Sequence, residues 1–211
     1  MKNKSAVTTT QSKYIDLIQY TKNCKTLLLP IKAFIDKALD YIYRNDSYGS
    51  NDSHGSHGSH ESHCVCFDID ETLLTADEDE TITRHPFGYA LYKYCLKLKI
   101  PIILVTARTG SDASKKYLLE QLKTVEINKF EALYMQGRED TDTAIYKQKC
   151  RHSIAEKYGN ILLSCGDQIS DHFANDSLSV DTIFCENTYY AFINYKDETT
   201  VLNIKFATDI Y

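Results

Sequence analysis

From Cys64 onward one unit recurs along the chain: an apolar run of about five residues, followed by a longer stretch with apolar side chains at helical spacing. The runs fall at 64–68, 101–105, 131–135, 160–165 and 181–185, and the helix-like stretches at 86–98, 111–123, 141–158 and near 169–175. A strand buried on both faces reads as a continuous apolar run, whereas one with a wet face alternates. Parallel strands also need a crossover long enough to hold a helix. The pattern therefore predicts an α/β fold with a five-stranded parallel sheet covered by helices. At 211 residues and 43% hydrophobic, the chain is long enough for one well-buried domain plus peripheral pieces.

The region before Cys64 is of two kinds. Residues 12–23 and 31–44 carry apolar side chains at helical spacing, among them Ile15, Leu17 and Ile18, then Ile31, Phe34, Ile35, Ala38, Leu39 and Ile42. Residues 45–63 are rich in Ser, Gly, Asn, Asp and His, and hold four successive x-Ser-His triplets ending at His54, His57, His60 and His63. The expected organisation is a helical extension over 1–44 packing on the core, a flexible loop over 45–63, and the core over 64–211. Histidines at period three suit Zn, Ni or Cu, but a flexible tract has little geometry with which to select a metal. A low-complexity expansion in a tolerant loop is the simpler account.

Net charge is −5 with a pI of about 5.8. No basic run is present, so neither nucleic acid nor an anionic membrane surface is an expected partner. Leu27, Leu28 and Leu29 are cut off by Pro30 and Lys32, far short of the roughly 18 apolar residues of a membrane span. The Thr-rich N-terminus has no apolar segment of the kind a signal peptide needs, and the expected location is the cytoplasm. The seven cysteines are odd in number, and Cys64, Cys66, Cys165 and Cys185 lie in or beside apolar runs. They read as small buried hydrophobes in a reducing compartment. Cys64-x-Cys66 lacks the spacing of a zinc knuckle.

In an open parallel sheet, ligands bind at the carboxyl ends of the strands, and that is where the polar residues fall. The first run ends in Asp68-Ile69-Asp70-Glu71-Thr72, and the second in Thr106-Ala107-Arg108. The fourth ends in Gly166-Asp167-Gln168-Ile169-Ser170-Asp171, and the helix before it carries Lys147 and Lys149. If the backbone stays extended past Phe67, Asp68 and Asp70 project into one volume. Like charges that close need a cation, a shared proton or a developing charge beside them. A helix cap by Asp70 or Thr72 is the bland alternative. A calcium loop is excluded, because Leu73 stands where glycine is needed and Asp79 where a bidentate Glu is usual. Each of these has an ordinary structural explanation alone; three clusters at matching strand ends together with the lysines on the helix do not.

In this order the motifs resemble those of the haloacid dehalogenase (HAD) superfamily of phosphohydrolases, over about residues 64–193: Asp-x-Asp-x-Thr, a strand-ending Thr, a Lys, and Gly-Asp-x-x-x-Asp. Phe-Asp-Ile-Asp-Glu-Thr-Leu-Leu at 67–74, Tyr146-Lys147-x-x-x-Arg151 and Gly166-Asp167-Gln168-x-Ser170-Asp171 are similar to the acid-phosphatase branch. That branch includes plant vegetative storage proteins and class B-like bacterial enzymes. Glu186-Asn187-Thr188-Tyr189-Tyr190 resembles its Pro-Asn-Pro-x-Tyr-Tyr segment without the prolines. The resemblance implies a three-layer, Rossmann-like core with strand order 5-4-1-2-3 (the five expected strands numbered along the chain), a minimal cap and extra N-terminal helices.

It also implies a Mg2+-dependent phosphomonoesterase. Asp68 would be the nucleophile and Asp70 the acid and base, with Asp68, the Asp70 main-chain carbonyl, Asp167 and Asp171 as metal ligands. Thr106 and Lys147 (or Lys149) would grip phosphate oxygens, with backbone N–H groups of Ile69, Asp70 and Ala107, and Arg108 is a further substrate contact. Arg138 and Arg151 are possible contacts, Arg151 equally a partner of a structural carboxylate. Residues 75–86 suffice for a flap and not for a cap domain, so the site should be open to small phosphomonoesters or phosphoproteins. Asp77, Glu78, Asp79 and Glu80 in it disfavour polyanions. Transfer of phosphate to an alcohol, or a catalytically weak storage or metal-binding protein, are the alternatives.

Overall fold

The computed structural model describes Asp36 and residues 63–76, 79–172, 180–186, 189–194 and 200–206. The chain divides between His60 and Glu61 into two units, and every described residue but Asp36 lies in the second. The helices expected at 12–23 and 31–44, the Ser/Gly/His tract and the packing of the extension on the core lie outside the described residues. The exceptions are Asp36, which is helical and exposed, and His63, which opens the first strand.

Each expected strand and long helix from Cys64 on is present. Strand β1 (His63–Phe67) leads into a short ribbon of β2 (Leu74–Ala76) and β3 (Ile82–Arg84). Then come α1 (Pro86–Lys97), β4 (Ile102–Thr109), α2 (Asp112–Thr124), β5 (Ala132–Gln136), α3 (Thr143–Tyr158) and β6 (Asn160–Gly166). A 3-10 turn (Ile169–Asp171) precedes β7 (Val180–Glu186), β8 (Tyr189–Asn194) and β9 (Thr200–Phe206). The helix starts are written in the sequence. His85, Ser111 and Asp142 each accept a hydrogen bond from a first-turn backbone N–H, at 3.2, 3.3 and 3.0 Å respectively, and Pro86 opens α1.

The main sheet has seven strands in the order β5-β4-β1-β6-β9-β8-β7. The first five pair parallel, and the β9–β8 and β8–β7 pairs are antiparallel. The expected order 5-4-1-2-3 is therefore corrected at one place. Residues 181–185, expected beside the fourth parallel strand, lie in β7 at the far edge, and β9 takes their position against β6. The reason is local. Only two residues separate β7 from β8 and five separate β8 from β9, so each pair closes as an antiparallel hairpin. The last strand of this meander, not the first, pairs with β6.

The core lies against the centre of the sheet. Cys64 and Cys66 of β1 and Ile103 and Val105 of β4 pack with Tyr146, Cys150 and Ile154 of α3 in one buried cluster. Cys64, Cys66 and Cys165 are buried free thiols, as expected, and so are Cys95 and Cys150; the side chain of Cys185 lies outside the described residues. The expected flap is the antiparallel β2–β3 ribbon, with Leu74 opposite Arg84 and Ala76 opposite Ile82. Among the described residues no helix is long and apolar enough to cross a membrane.

Candidate active site

The carboxyl ends of β1, β4 and β6 meet over one small region. Strand β1 stops at Phe67, one residue before Asp68, whose N–H is held by the Cys165 carbonyl of β6 at 2.8 Å. The chain then turns sharply. The carbonyl of Ile69 accepts from the N–H groups of Thr72, Leu73 and Leu74, and Glu71 adopts φ 52°. Asp68 is buried while the Asp70 side chain is half exposed, so the two carboxylates end in different surroundings.

Asp68 points into the protein and is buried beside Lys147, whose Nζ donates to its Oδ1 at 2.7 Å. Lys147 also donates to Asp171 Oδ1. Helix α3 supplies this lysine from its buried face, whereas Lys149 is exposed. One turn further, buried Arg151 donates to the Asp171 main-chain carbonyl at 2.7 Å, so of its two expected roles the structural one is present. Asp171 is fixed again through its Oδ2, which accepts from the Gln168 N–H at 2.8 Å. A Cβ at Gly166 would overlap the Asp171 side chain, so only glycine fits there. Asp167 accepts from Gln168 Nε2 at 2.6 Å.

Burial disfavours the charged form of Asp68 most, the neighbouring Asp171 adds to this, and Lys147 opposes both; the net effect holds its carboxyl well above the usual range. Asp167 is raised too, by burial first and by Asp171. Burial works against the charge on Lys147, but Asp68 and Asp171 more than offset it, so the ammonium is held above its ordinary value.

Ligand oxygens of Asp68, Asp167 and Asp171 lie within 4.8 Å of one another. An all-oxygen set of buried carboxylates is the donor chemistry Mg2+ favours. Against their three potential negative charges, Lys147 brings one positive charge to the carboxylates and Arg151 a second to the main chain. These residues fit a hard divalent cation. The Asp70 carboxylate is not in the cluster.

Asp70 instead belongs to the rim. Its side chain is 49% exposed, and Arg108 forks onto it, Nε reaching Oδ1 and Oδ2 at 3.1 and 2.9 Å and Nη2 reaching Oδ1 at 2.5 Å. Arg108 sits in a bulge: the β4–β5 register jumps from Thr106 to Thr109, leaving Ala107 and Arg108 without partners in β5. Buried Thr106 turns its hydroxyl to the Arg108 N–H at 3.1 Å, and Ala107 is exposed. Ile69 is fully buried and Arg138 exposed. Thr72 is also fully buried, its hydroxyl without a hydrogen-bond partner among the described residues.

Three participants carried no sequence signal of their own. Gln121 of α2 accepts from Arg108 Nη1 at 2.5 Å. His172 and Asn203 are both fully buried, with Nδ1 and Oδ1 3.2 Å apart, and tie the end of the site to β9. Burial pushes His172 down to about 4, which keeps it neutral at ordinary pH. Periodicity cannot reveal a polar residue that serves another side chain across an element boundary.

The model of the HAD superfamily, subfamily IIIB (acid phosphatase), matches residues 78–192, just over half of the chain. The span takes in Thr106, Lys147, Asp167 and Asp171 and begins after Asp70. No curated protein matches the chain. Among solved structures, the class C acid phosphatase from Bacillus anthracis is similar at 15% identity and a TM-score of 0.44, over 77% of this chain and 71% of that one. The chain belongs to the HAD superfamily, to the acid phosphatases of its subfamily IIIB, and is a phosphatase.

Proposed function

We propose that this phosphatase is a Mg2+-dependent phosphomonoester hydrolase acting through an aspartyl-phosphate on Asp68. The observation that carries the proposal is the buried group of Asp68, Lys147, Asp167 and Asp171 at the carboxyl end of the central strands. Asp68, Asp167 and Asp171, with the Asp70 main-chain carbonyl, would hold Mg2+, which when bound offsets both the repulsion among the carboxylates and the charge of the ester.

The rest falls to the chain's own residues. An Asp68 carboxylate oxygen attacks phosphorus, the bond to the ester oxygen breaks, and Asp70 delivers its proton to that oxygen. Water then attacks the phosphorus, Asp70 takes its proton, and Asp68 leaves as a free carboxylate. Thr106, Lys147 and the N–H groups of Ile69, Asp70 and Ala107 hold the phosphoryl oxygens, where preorganised donors are worth most. The flap is short, and Asp79 and Glu80 in it are exposed. Both features favour small phosphomonoesters or a phosphoprotein over nucleic acid. The five buried free thiols support a reducing compartment such as the cytoplasm.

Purified protein with Mg2+ should release p-nitrophenol from p-nitrophenyl phosphate, and Asp68→Asn should abolish release; equal rates in the two would falsify the mechanism. Adding an alcohol tests the rival step. If phosphate appears more slowly than p-nitrophenol in its presence, the aspartyl-phosphate is also transferred to the acceptor.

A further inference from the structure

Every nitrogen of the Arg108 guanidinium is engaged by the protein itself. Nε and Nη2 fork onto Asp70, and Nη1 donates to Gln121 Oε1. The Arg108 side chain is 23% exposed although it lies at the mouth of the site. Its backbone is fixed as well, since its N–H is bound by Thr106, a proposed phosphate ligand. Gln121 comes from α2, whose rotation is set by the buried Leu118 and Leu122.

The carboxylate that receives the fork needs such a constraint. Asp70 lies in the turn beyond β1, next to Glu71 at φ 52°, and its side chain is half exposed. Among the described residues no hydrogen bond to its carboxylate comes from any group but Arg108. An exposed ion pair contributes little stability. A planar bidentate fork, however, fixes the direction of a carboxylate, which a point-charge ammonium does not. A carboxylate has about four lone-pair sites, so the fork leaves room for a proton on the substrate side.

We propose that Gln121 and Arg108 are positioning residues: α2 holds Arg108 through Gln121, and Arg108 holds Asp70 where it can protonate the departing oxygen. This rests on Asp70 being the general acid, as put forward above. Arg108 would then act on the leaving group's proton, whereas a phosphate contact would require it to abandon two partners at once.

The test compares kcat/KM, which reports steps up to release of the alcohol, for p-nitrophenyl phosphate and glycerol 2-phosphate. p-Nitrophenolate departs without a proton, while an alkoxide needs one. Gln121→Leu should lower kcat/KM for glycerol 2-phosphate by about tenfold and Arg108→Lys by about 10²-fold, part and most of what a positioned acid contributes. Neither should lower the p-nitrophenyl phosphate value to the same degree. Gln121→Glu, which keeps an acceptor for Nη1, should restore the ratio of the two substrates. Gln121 is half-buried on a helix surface, and an unchanged melting temperature for Gln121→Leu would show that the fold is intact. Equal losses on both substrates would overturn the proposal and make Arg108 a phosphate contact or a structural residue. Asp70→Asn separates the two levels. If it alone shows the leaving-group dependence, the acid assignment stands and the relay fails; if it shows none, the acid assignment fails and the relay with it.

Discussion

Asp68 and Asp70 are separated by one residue and end in different surroundings, Asp68 buried and the Asp70 side chain half exposed, with the Ile69 carbonyl gathering the next turn around itself. Asp68 is consequently committed to Lys147. Removing one member of a buried ion pair leaves the other uncompensated, at a cost of about 3–5 kcal/mol. Here Lys147→Met would leave two carboxylates, Asp68 and Asp171, facing each other without their ammonium. Urea unfolding in EDTA should register a loss of that order. Part of it should return on adding Mg2+, since an ion bound only by the folded state adds stability. A deficit indifferent to Mg2+ would count against these carboxylates as the ligands. At this scale the sequence marked the chemistry and not its partners. Lys147 is the expected phosphate-binding lysine with Lys149 as the fallback, and α3 buries the first and exposes the second. Gln121 gave no signal, because its role depends on where α2 sits relative to a bulge in β4.

Helix α3 shows how an element carries a site. Lys147 and Arg151 are one turn apart on its buried face, one gripping carboxylates and the other the Asp171 carbonyl. Its first turn is secured by Asp142, which accepts from the Ile145 N–H at 3.0 Å. Asp142→Ala should cost about 0.5–2 kcal/mol in urea unfolding, the usual worth of a cap. It should also reduce turnover of p-nitrophenyl phosphate less than Lys147→Met does, because the lysine lies beyond the turn that frays. A loss of activity equal to that of the lysine variant would mean that the cap, not the helix packing, places Lys147. Burial on one side usually imposes an apolar helical period, but in α3 that period is blunted because Lys147 and Arg151 share the buried face with Tyr146, Cys150 and Ile154. The meander was not legible in the sequence: β7 reads as an apolar run like the parallel strands, although it is an edge strand. The sequence of strand β9, Thr-Val-Leu-Asn-Ile-Lys-Phe, alternates apolar and polar residues from Leu202 on. A search for continuous runs passes over it, and Asn203 argues against a buried strand, yet Asn203 is fully buried against His172.

For the whole molecule, the buried thiols limit the pH range over which the fold is stable. Burial pushes the Cys95 thiol from an ordinary value near 9 up to about 12, and it raises Cys66 and Cys165 well above that value too. Below pH 8 these groups are protonated in both folded and unfolded chains and make no difference to stability. Above 9 the unfolded chain releases the protons while the folded one keeps them. Stability then falls as pH rises, by about 1.4 kcal/mol per pH unit for each such thiol, until the folded value is passed. For Cys95 the window runs from near 9 to about 12. Urea unfolding at pH 8 and pH 10 should therefore show a large drop for the wild type. Cys95→Ala should start lower at pH 8, having lost packing in α1, and should then drop less, by about 1.4 kcal/mol, between the two pH values. Comparing the drop rather than the absolute stability separates proton release from the small cavity, which costs the same at either pH. An identical drop in the two proteins would mean that the folded chain does not hold the Cys95 proton against solvent.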